Sequence, residues 1–249
     1  MDTLPDVVFR GNNAYDYLGM AVSDAGDVNG DGFPDILIGA MGADPEGTGS
    51  GEARIFFGGT GMDNATDVYL SGHSAGEYFG NDAAAAGDVN GDGYGDVIVG
   101  AYLNASKGVY TGAAYLYLGA KNMDGTADWA LDGESGMDAF GTSVAGGFDI
   151  NQDGYDDIAV GAPYDSGVAA YAGRAYLFFG GQSVNLTPDA NLGGWKTYDL
   201  LGSALAGADD LNGDGREEFL VGAPGYSGMG GGSRLLIFST VHGVLDPKL

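Results

Sequence analysis

The chain contains no cysteine, so a disulfide framework, a thiolate metal site and a thiol nucleophile are all excluded. Histidine is nearly absent: His73 and His242 stand at unrelated positions, which leaves little material for general-base chemistry. Positive charge is equally scarce. Nine Lys+Arg face 35 Asp+Glu, a formal net charge of −26, and that balance argues against nucleic acid or an anionic membrane as a partner. No apolar run approaches the roughly 20 residues a membrane span needs, so membrane insertion is not expected. The N-terminal Met1-Asp2-Thr3-Leu4-Pro5 has neither the basic nor the apolar region of a signal peptide, as in a mature or excised domain.

What is abundant is glycine, 49 residues in a chain of 249. With few helix-favouring runs, that composition predicts an all-β protein of many short strands and tight turns, long enough to bury a sizeable core. The densest chemistry lies in Asp27-Val28-Asn29-Gly30-Asp31-Gly32-Phe33-Pro34-Asp35. Side-chain oxygens at positions 1, 3, 5 and 9, with glycine at 4 and 6, let the chain fold back and aim several hard donors at one point, as calcium requires. Asp27, Asn29, Asp31 and Asp35 are the candidate side-chain ligands, and Phe33 at position 7 would offer its backbone carbonyl. The pattern returns every 61 residues. Asp88, Asn90, Asp92, Tyr94 and Asp96 form the second set, Asp149, Asn151, Asp153, Tyr155 and Asp157 the third, and Asp210, Asn212, Asp214, Arg216 and Glu218 the fourth. Up to four Ca²⁺ are therefore expected. Glu218 is one methylene longer than its counterparts, which predicts looser or different coordination there. An EF-hand is excluded, because position 12 of the first loop is Ile38 and cannot ligate.

Each loop runs into a short apolar stretch, Ile36-Leu37-Ile38, Val97-Ile98-Val99, Ile158-Ala159-Val160 or Phe219-Leu220-Val221, which reads as a buried strand. Before each loop lies a run of small residues starting at Gly19, Gly80, Gly141 or Gly202, suited to a crowded inner strand. A third strand follows at 53–57, 114–118, 175–179 and 234–238, and an outer one at 67–70, 128–131 and 197–200. Four antiparallel strands repeated radially make a β-propeller. The single domain 1–249 then divides into repeats at about 12–72, 73–133, 134–194 and 195–249. Residues 6–11 match an outer strand, and the fourth repeat lacks one, so the N-terminal strand is expected to complete the last blade.

The succession Phe140-Gly141, the Asp149 to Asp157 loop and Gly161-Ala162-Pro163 resembles the FG-GAP repeat of integrin α-subunit propellers and their bacterial relatives. Leu18 and Leu201 replace the Phe, and Gly39-Ala40-Met41 and Gly100-Ala101-Tyr102 lack the final Pro. The resemblance implies calcium loops that rigidify blades, not chemistry. It also implies seven blades where this chain encodes four. Three arrangements stay open: a closed four-bladed ring, part of a larger ring, or two chains joined head to tail into eight blades. The last keeps the wedge near the family's, about 45° against about 90° for a four-bladed ring.

In a meander, the calcium loops share one face and the remaining connections the other. That opposite face carries Tyr15, Asp44, Glu46, His73, Tyr78, Tyr110, Tyr164, Tyr171 and Tyr226, and by resemblance it is where ligand is met. The expectation is a non-enzymatic, calcium-stabilised binding, adhesion or scaffolding module for a protein ligand. A carbohydrate-binding module, or a non-catalytic part of a polysaccharide-acting enzyme, is the alternative. Calcium use points to a secreted or cell-surface origin.

Overall fold

The computed structural model describes residues 6–225, 233–241 and 244–247. Among them there is no helix, and sixteen strands form four antiparallel sheets of four. The first blade holds β1 (Val22–Gly26), β2 (Asp35–Ala40), β3 (Glu52–Phe56) and β4 (Val68–Ser71). The second holds β5 (Ala83–Gly87), β6 (Asp96–Ala101), β7 (Ala113–Tyr117) and β8 (Trp129–Asp132). The third holds β9 (Ser143–Phe148), β10 (Asp157–Ala162), β11 (Arg174–Phe178) and β12 (Ala190–Gly193). The fourth holds β13 (Ala204–Ala208), β14 (Glu218–Ala223), β15 (Arg234–Val241) and β16 (Val244–Pro247). Within every blade, strands pair in chain order, so the expected all-β propeller architecture is found.

The period-2 pattern of each strand supplies both faces of its blade. In β3, Ala53 and Ile55 turn towards the second blade, where they join Val97, Val99, Tyr115 and Tyr117 in one buried cluster. Two further clusters fill the second and third junctions. The aromatic residue that opens a repeat is the wedge between blades: Phe79 lies 5.5 Å from Tyr115, and Phe140 lies 5.3 Å from Tyr176. The same residue makes a parallel bridge to the preceding blade, Gly51 to Phe79, Gly112 to Phe140 and Gly173 to Leu201. Leu201 fills the place of Phe and is buried. Inner strands are built from small residues because their backbones meet: a Cβ on Gly146 would fall 2.6 Å from Ala86 Cα.

Two sequence expectations are corrected. Residues 197–200 are not the outer strand of the third blade; β12 is, seven residues earlier, paired Leu177 to Ala190. The alternating Thr197-Tyr198-Asp199-Leu200 suits a strand locally, but the packing follows the 61-residue period and places it in a loop. Nor does the N-terminal strand complete the last blade. Residues 6–11 belong to no sheet, and β16 takes the outer place in the fourth blade by folding back from β15, with Val241 opposite Val244. A local hairpin closes a far shorter loop than pairing the two chain ends, and costs correspondingly less entropy. Phe9 instead rests on Phe56, ring centroids 4.3 Å apart.

The inner strands neighbour one another in the order β1, β5, β9, β13. Among the described residues no comparable contact returns from β13 to β1. The array is an open arc.

Candidate functional site

All four acidic loops join the first strand of a blade to the second, as expected. In the first, the Asp27 carboxylate accepts the backbone N–H of Asp31 (3.0 Å) and Gly32 (2.9 Å). Asn29 Oδ1 accepts the N–H of Asp31 (2.8 Å), and Asp31 Oδ1 that of Phe33 (2.9 Å). Asp88, Asn90 and Asp92 make the same set in the second loop, and Asp149, Asn151 and Asp153 in the third. Gly32, Gly93, Gly154 and Gly215 at position 6 all have φ near +90°, a conformation that L side chains rarely adopt. Positions 1, 3 and 5 are thus held on the inside of one turn.

Position 9 stands apart. Asp35, Asp96 and Asp157 are buried, and both carboxylate oxygens of each are engaged by backbone. Asp96 accepts from Val89 N (2.8 Å) within its own loop and from Gly119 N (2.8 Å) beyond the third strand. Asp35 and Asp157 repeat this with Val28 and Gly58, and with Ile150 and Gly180. Burial pushes the Asp96 and Asp157 carboxyls up to about 7, against the pull of those two N–H bonds, and raises Asp35 in the same way. The residue therefore ties the acidic loop to the turn between the third and outer strands. Each of its oxygens keeps a second lone pair for a cation.

The fourth loop is arranged differently from the other three, one of the two outcomes its longer Glu218 predicts. Its longer Glu218 reaches Asp210 and Asp214, so that one carboxylate oxygen from each lies within 4.8 Å of the others; among the described residues this is the one such group. Glu218 also holds Leu211 N (2.6 Å) and Asn212 Nδ2 (2.5 Å). The extra methylene brings the three carboxylates together. In all four loops the donors are oxygens alone, which fits a hard cation such as Ca²⁺ and not a transition metal.

Position 7 matters beyond its carbonyl. The Tyr94 ring lies on Gly30 of the preceding loop, where a Cβ would fall 2.5 Å from it, and Tyr155 lies in the same way on Gly91. Where position 7 is Arg216, position 4 of the preceding loop is Gln152, whose Nε2 donates to Gly215 O (2.6 Å). Position 8 also crosses the junction: Asp156 accepts the N–H of Asp88 (2.6 Å), and Glu217 that of Asp149 (2.8 Å). Two more acids recur at the 61-residue interval without having been singled out. Asp67, Asp128 and Asp189 each accept an N–H from the end of the third strand (2.8 Å). Asp16, Glu77, Asp138 and Asp199 are buried under the opposite loops, where Asp199 accepts from Trp195 and Lys196 and Glu77 from His73.

On that opposite face, Tyr110, Tyr164 and Tyr171 converge as candidates, and Tyr102 and Tyr198 join them. With Leu103, Met137, Ala139 and Leu200 they line a cavity of about 540 Å³ spanning the second, third and fourth blades, its walls almost wholly apolar. The backbone there is unusual. Tyr110, Met137, Tyr171, Tyr198 and Leu200 have φ between 51° and 69°, a region costing bulky residues about 1–2 kcal/mol each. The place of Tyr110 and Tyr171 is Gly49 in the first repeat, that of Met137 and Tyr198 is Tyr15 and Gly76, and that of Leu200 is Tyr17, Tyr78 and Ala139, all with positive φ. Tyr15 and Tyr78 lie outside the cavity; Asp44 caps Gly49 N (2.6 Å), and the Glu46 N–H donates to Ser50 Oγ. Tyr226 and His242 lie outside the described residues.

His73 stacks on Tyr115, centroids 4.9 Å apart. It belongs to Gly72-His73-Ser74-Ala75-Gly76, a Gly-x-Ser-x-Gly pentapeptide. Nucleophile elbows place that serine between a strand and a helix. Here it lies in the loop between β4 and β5, and Ser74 Oγ donates to Glu77 (3.2 Å).

The FG-GAP repeat model matches residues 21–56, 79–117, 140–178 and 201–237. The chain is 31% identical to Integrin alpha-5 of Xenopus laevis over 86% of its own length and 20% of that protein's. It is 32% identical to Integrin alpha-V of Gallus gallus over 84% and 20%. To Phosphatidylinositol-glycan-specific phospholipase D of Rattus norvegicus it is 34% identical over 59% and 18%. The chain thus spans about a fifth of the length of these relatives.

Proposed function

Because the chain belongs to the FG-GAP repeat family, we propose that it is a calcium-stabilised, non-catalytic binding module that engages a protein ligand through its tyrosine-lined loop face. The carrying observation is the use of Tyr110, Tyr171 and Tyr198 at left-handed positions that glycine would fill without strain, beside an open apolar cavity. Strained, solvent-facing aromatic residues are retained for what they touch. The apolar walls favour a protein side chain over a sugar, whose hydroxyls need polar partners.

Calcium belongs to the other face. Positions 1, 3, 5 and 9 of each loop would hold it through oxygen, and Asp210, Asp214 and Glu218 are the best assembled set. A bound cation supplies a charge that fixes the acidic turn. At 100 times its dissociation constant each ion adds about 2.7 kcal/mol. Such use of calcium fits millimolar concentrations, and hence a secreted or cell-surface setting.

A photo-crosslinking residue at position 171, compared with one at the exposed Asp124 on the calcium face, tests this in an extracellular protein mixture with calcium present. Capture of a discrete protein from position 171 alone is expected. Equal capture from both positions, or none from 171, would contradict the assignment.

A further inference from the structure

The three internal junctions share one set of contacts, and the two ends of the arc carry its separated halves. At each internal junction a glycine of the second strand presses on the carbonyl of the glycine that follows the next blade's wedge. A Cβ on Gly39, Gly100 or Gly161 would fall 2.2, 2.2 or 2.0 Å from Gly80, Gly141 or Gly202 O. In the fourth blade, the nearest atom to a Cβ on Gly222 is Ala204 Cβ, at 3.4 Å, and among the described residues Gly19 in the first has nothing within 4 Å. Aromatic position 7 and glycine position 4 meet at the first two junctions, yet Phe33 is 44% exposed and Gly213 has an open surface. The apolar faces follow suit. Leu177 of the third blade is buried, whereas Leu235 and Ile237 on the corresponding face of the fourth are 58% and 38% exposed. Val144 is buried, whereas its first-blade counterpart Val22 is 66% exposed.

We propose that a second copy of this chain docks head to tail, the first blade of each seated on the fourth blade of the other, to close a ring of eight blades. Knob and hole already match: Phe33 for Gly213, Gly19 for Gly222, Val22 against Leu235 and Ile237. Reciprocal head-to-tail contacts close after two copies when each arc covers half the circle. The junction is weaker than the internal ones in one respect. The N–H of position 8 donates to the preceding loop at Gly95 (to Asp27 O, 2.9 Å) and Asp156 (to Asp88 O, 3.2 Å), and Pro34 at that position has no N–H to give. Residues 6–11 also cover the outer part of the first blade's free face, through Phe9 on Phe56, and leave the inner part open. Association is therefore expected to be reversible.

Light scattering of the chain in calcium, over a range of concentrations, tests this with two variants. Gly222→Ala places a methyl where the fourth blade has room but a docked Gly19 carbonyl would not fit, and Phe33→Asp spoils the other half. Wild type is expected to approach twice its 25.2 kDa, and each variant to stay at the single-chain mass with an unchanged melting temperature. A mixture of the two variants regains the doubled mass, because one junction between them is intact. Wild type at the single-chain mass throughout, a ladder of higher masses, or a dimer indifferent to both substitutions would each overturn the proposal.

Discussion

The two loop faces are built on one backbone repeat and used in opposite ways. On the acidic face, four loops reproduce the same hydrogen bonds nearly atom for atom, and neighbouring loops are bonded across each junction. On the other face, the backbone repeats just as faithfully, including its left-handed positions, but the side chains do not. Gly49 becomes Tyr110 and Tyr171, and Gly76 becomes Met137 and Tyr198. Repetition of side chains marks the acidic face, and variation on an unchanged frame marks the tyrosine face, the one proposed to meet ligand.

The largest expected difference between the faces is their response to calcium. Chelation removes about 2.7 kcal/mol per saturated site, which summed over four loops rivals the stability of an ordinary domain. The melting temperature should fall by tens of degrees in excess chelator, read by circular dichroism; a shift of a degree or less breaks the comparison. Next come single residues. Asp96→Ala strands the buried N–H groups of Val89 and Gly119 at about 1–3 kcal/mol each, so a loss of about 3 kcal/mol or more is expected in urea unfolding. Asp92→Ala should cost less than that but more than Asp44→Ala, which removes one cap on the tyrosine face.

On the tyrosine face, stability and the proposed binding should separate. Tyr171→Gly relieves about 1 kcal/mol of left-handed strain while opening the cavity wall. Unfolding free energy is expected to stay within about 1 kcal/mol of wild type as ligand capture disappears; a protein that unfolds instead would make Tyr171 a structural residue. The smallest effect concerns Asp138. Burial, then the neighbouring Asp165, push its carboxyl up to about 6, above its ordinary 3.8. A group whose folded value is raised stabilises most at low pH and loses that contribution as pH climbs from about 4 through 6. Asp138→Asn should flatten the stability profile in that window, and an unchanged slope would remove Asp138 from the account.

The acidic loops were legible because oxygen-bearing residues at fixed offsets, repeated every 61 residues, leave few other readings. The outer strands were less so. Ala190-Asn191-Leu192 has weak strand propensity, and Tyr198 beside Asp199 mimics a strand that the period forbids. β16 carries little signal, because Val244-Leu245-Asp246-Pro247 is four residues long and ends in proline, which demotes a strand reading. Position 9 showed its charge but not its second duty, since the Gly119 amide that it engages lies 23 residues on. Left-handed tyrosines carry no local signature. Their signal lay in glycines at the same repeat positions, Gly49 and Gly76, which only a column-by-column reading of the repeats would expose.

Amide hydrogen exchange of the full chain, with and without calcium, tests the division of labour most directly. Calcium should slow exchange at Val89, Gly95, Asp156 and Gly180, the amides that bind the acidic loops to their own blade and to the next, and leave Tyr110 and Tyr171 nearly unchanged. Equal exchange in both conditions at the acidic loops, or protection confined to the tyrosine face, would contradict it.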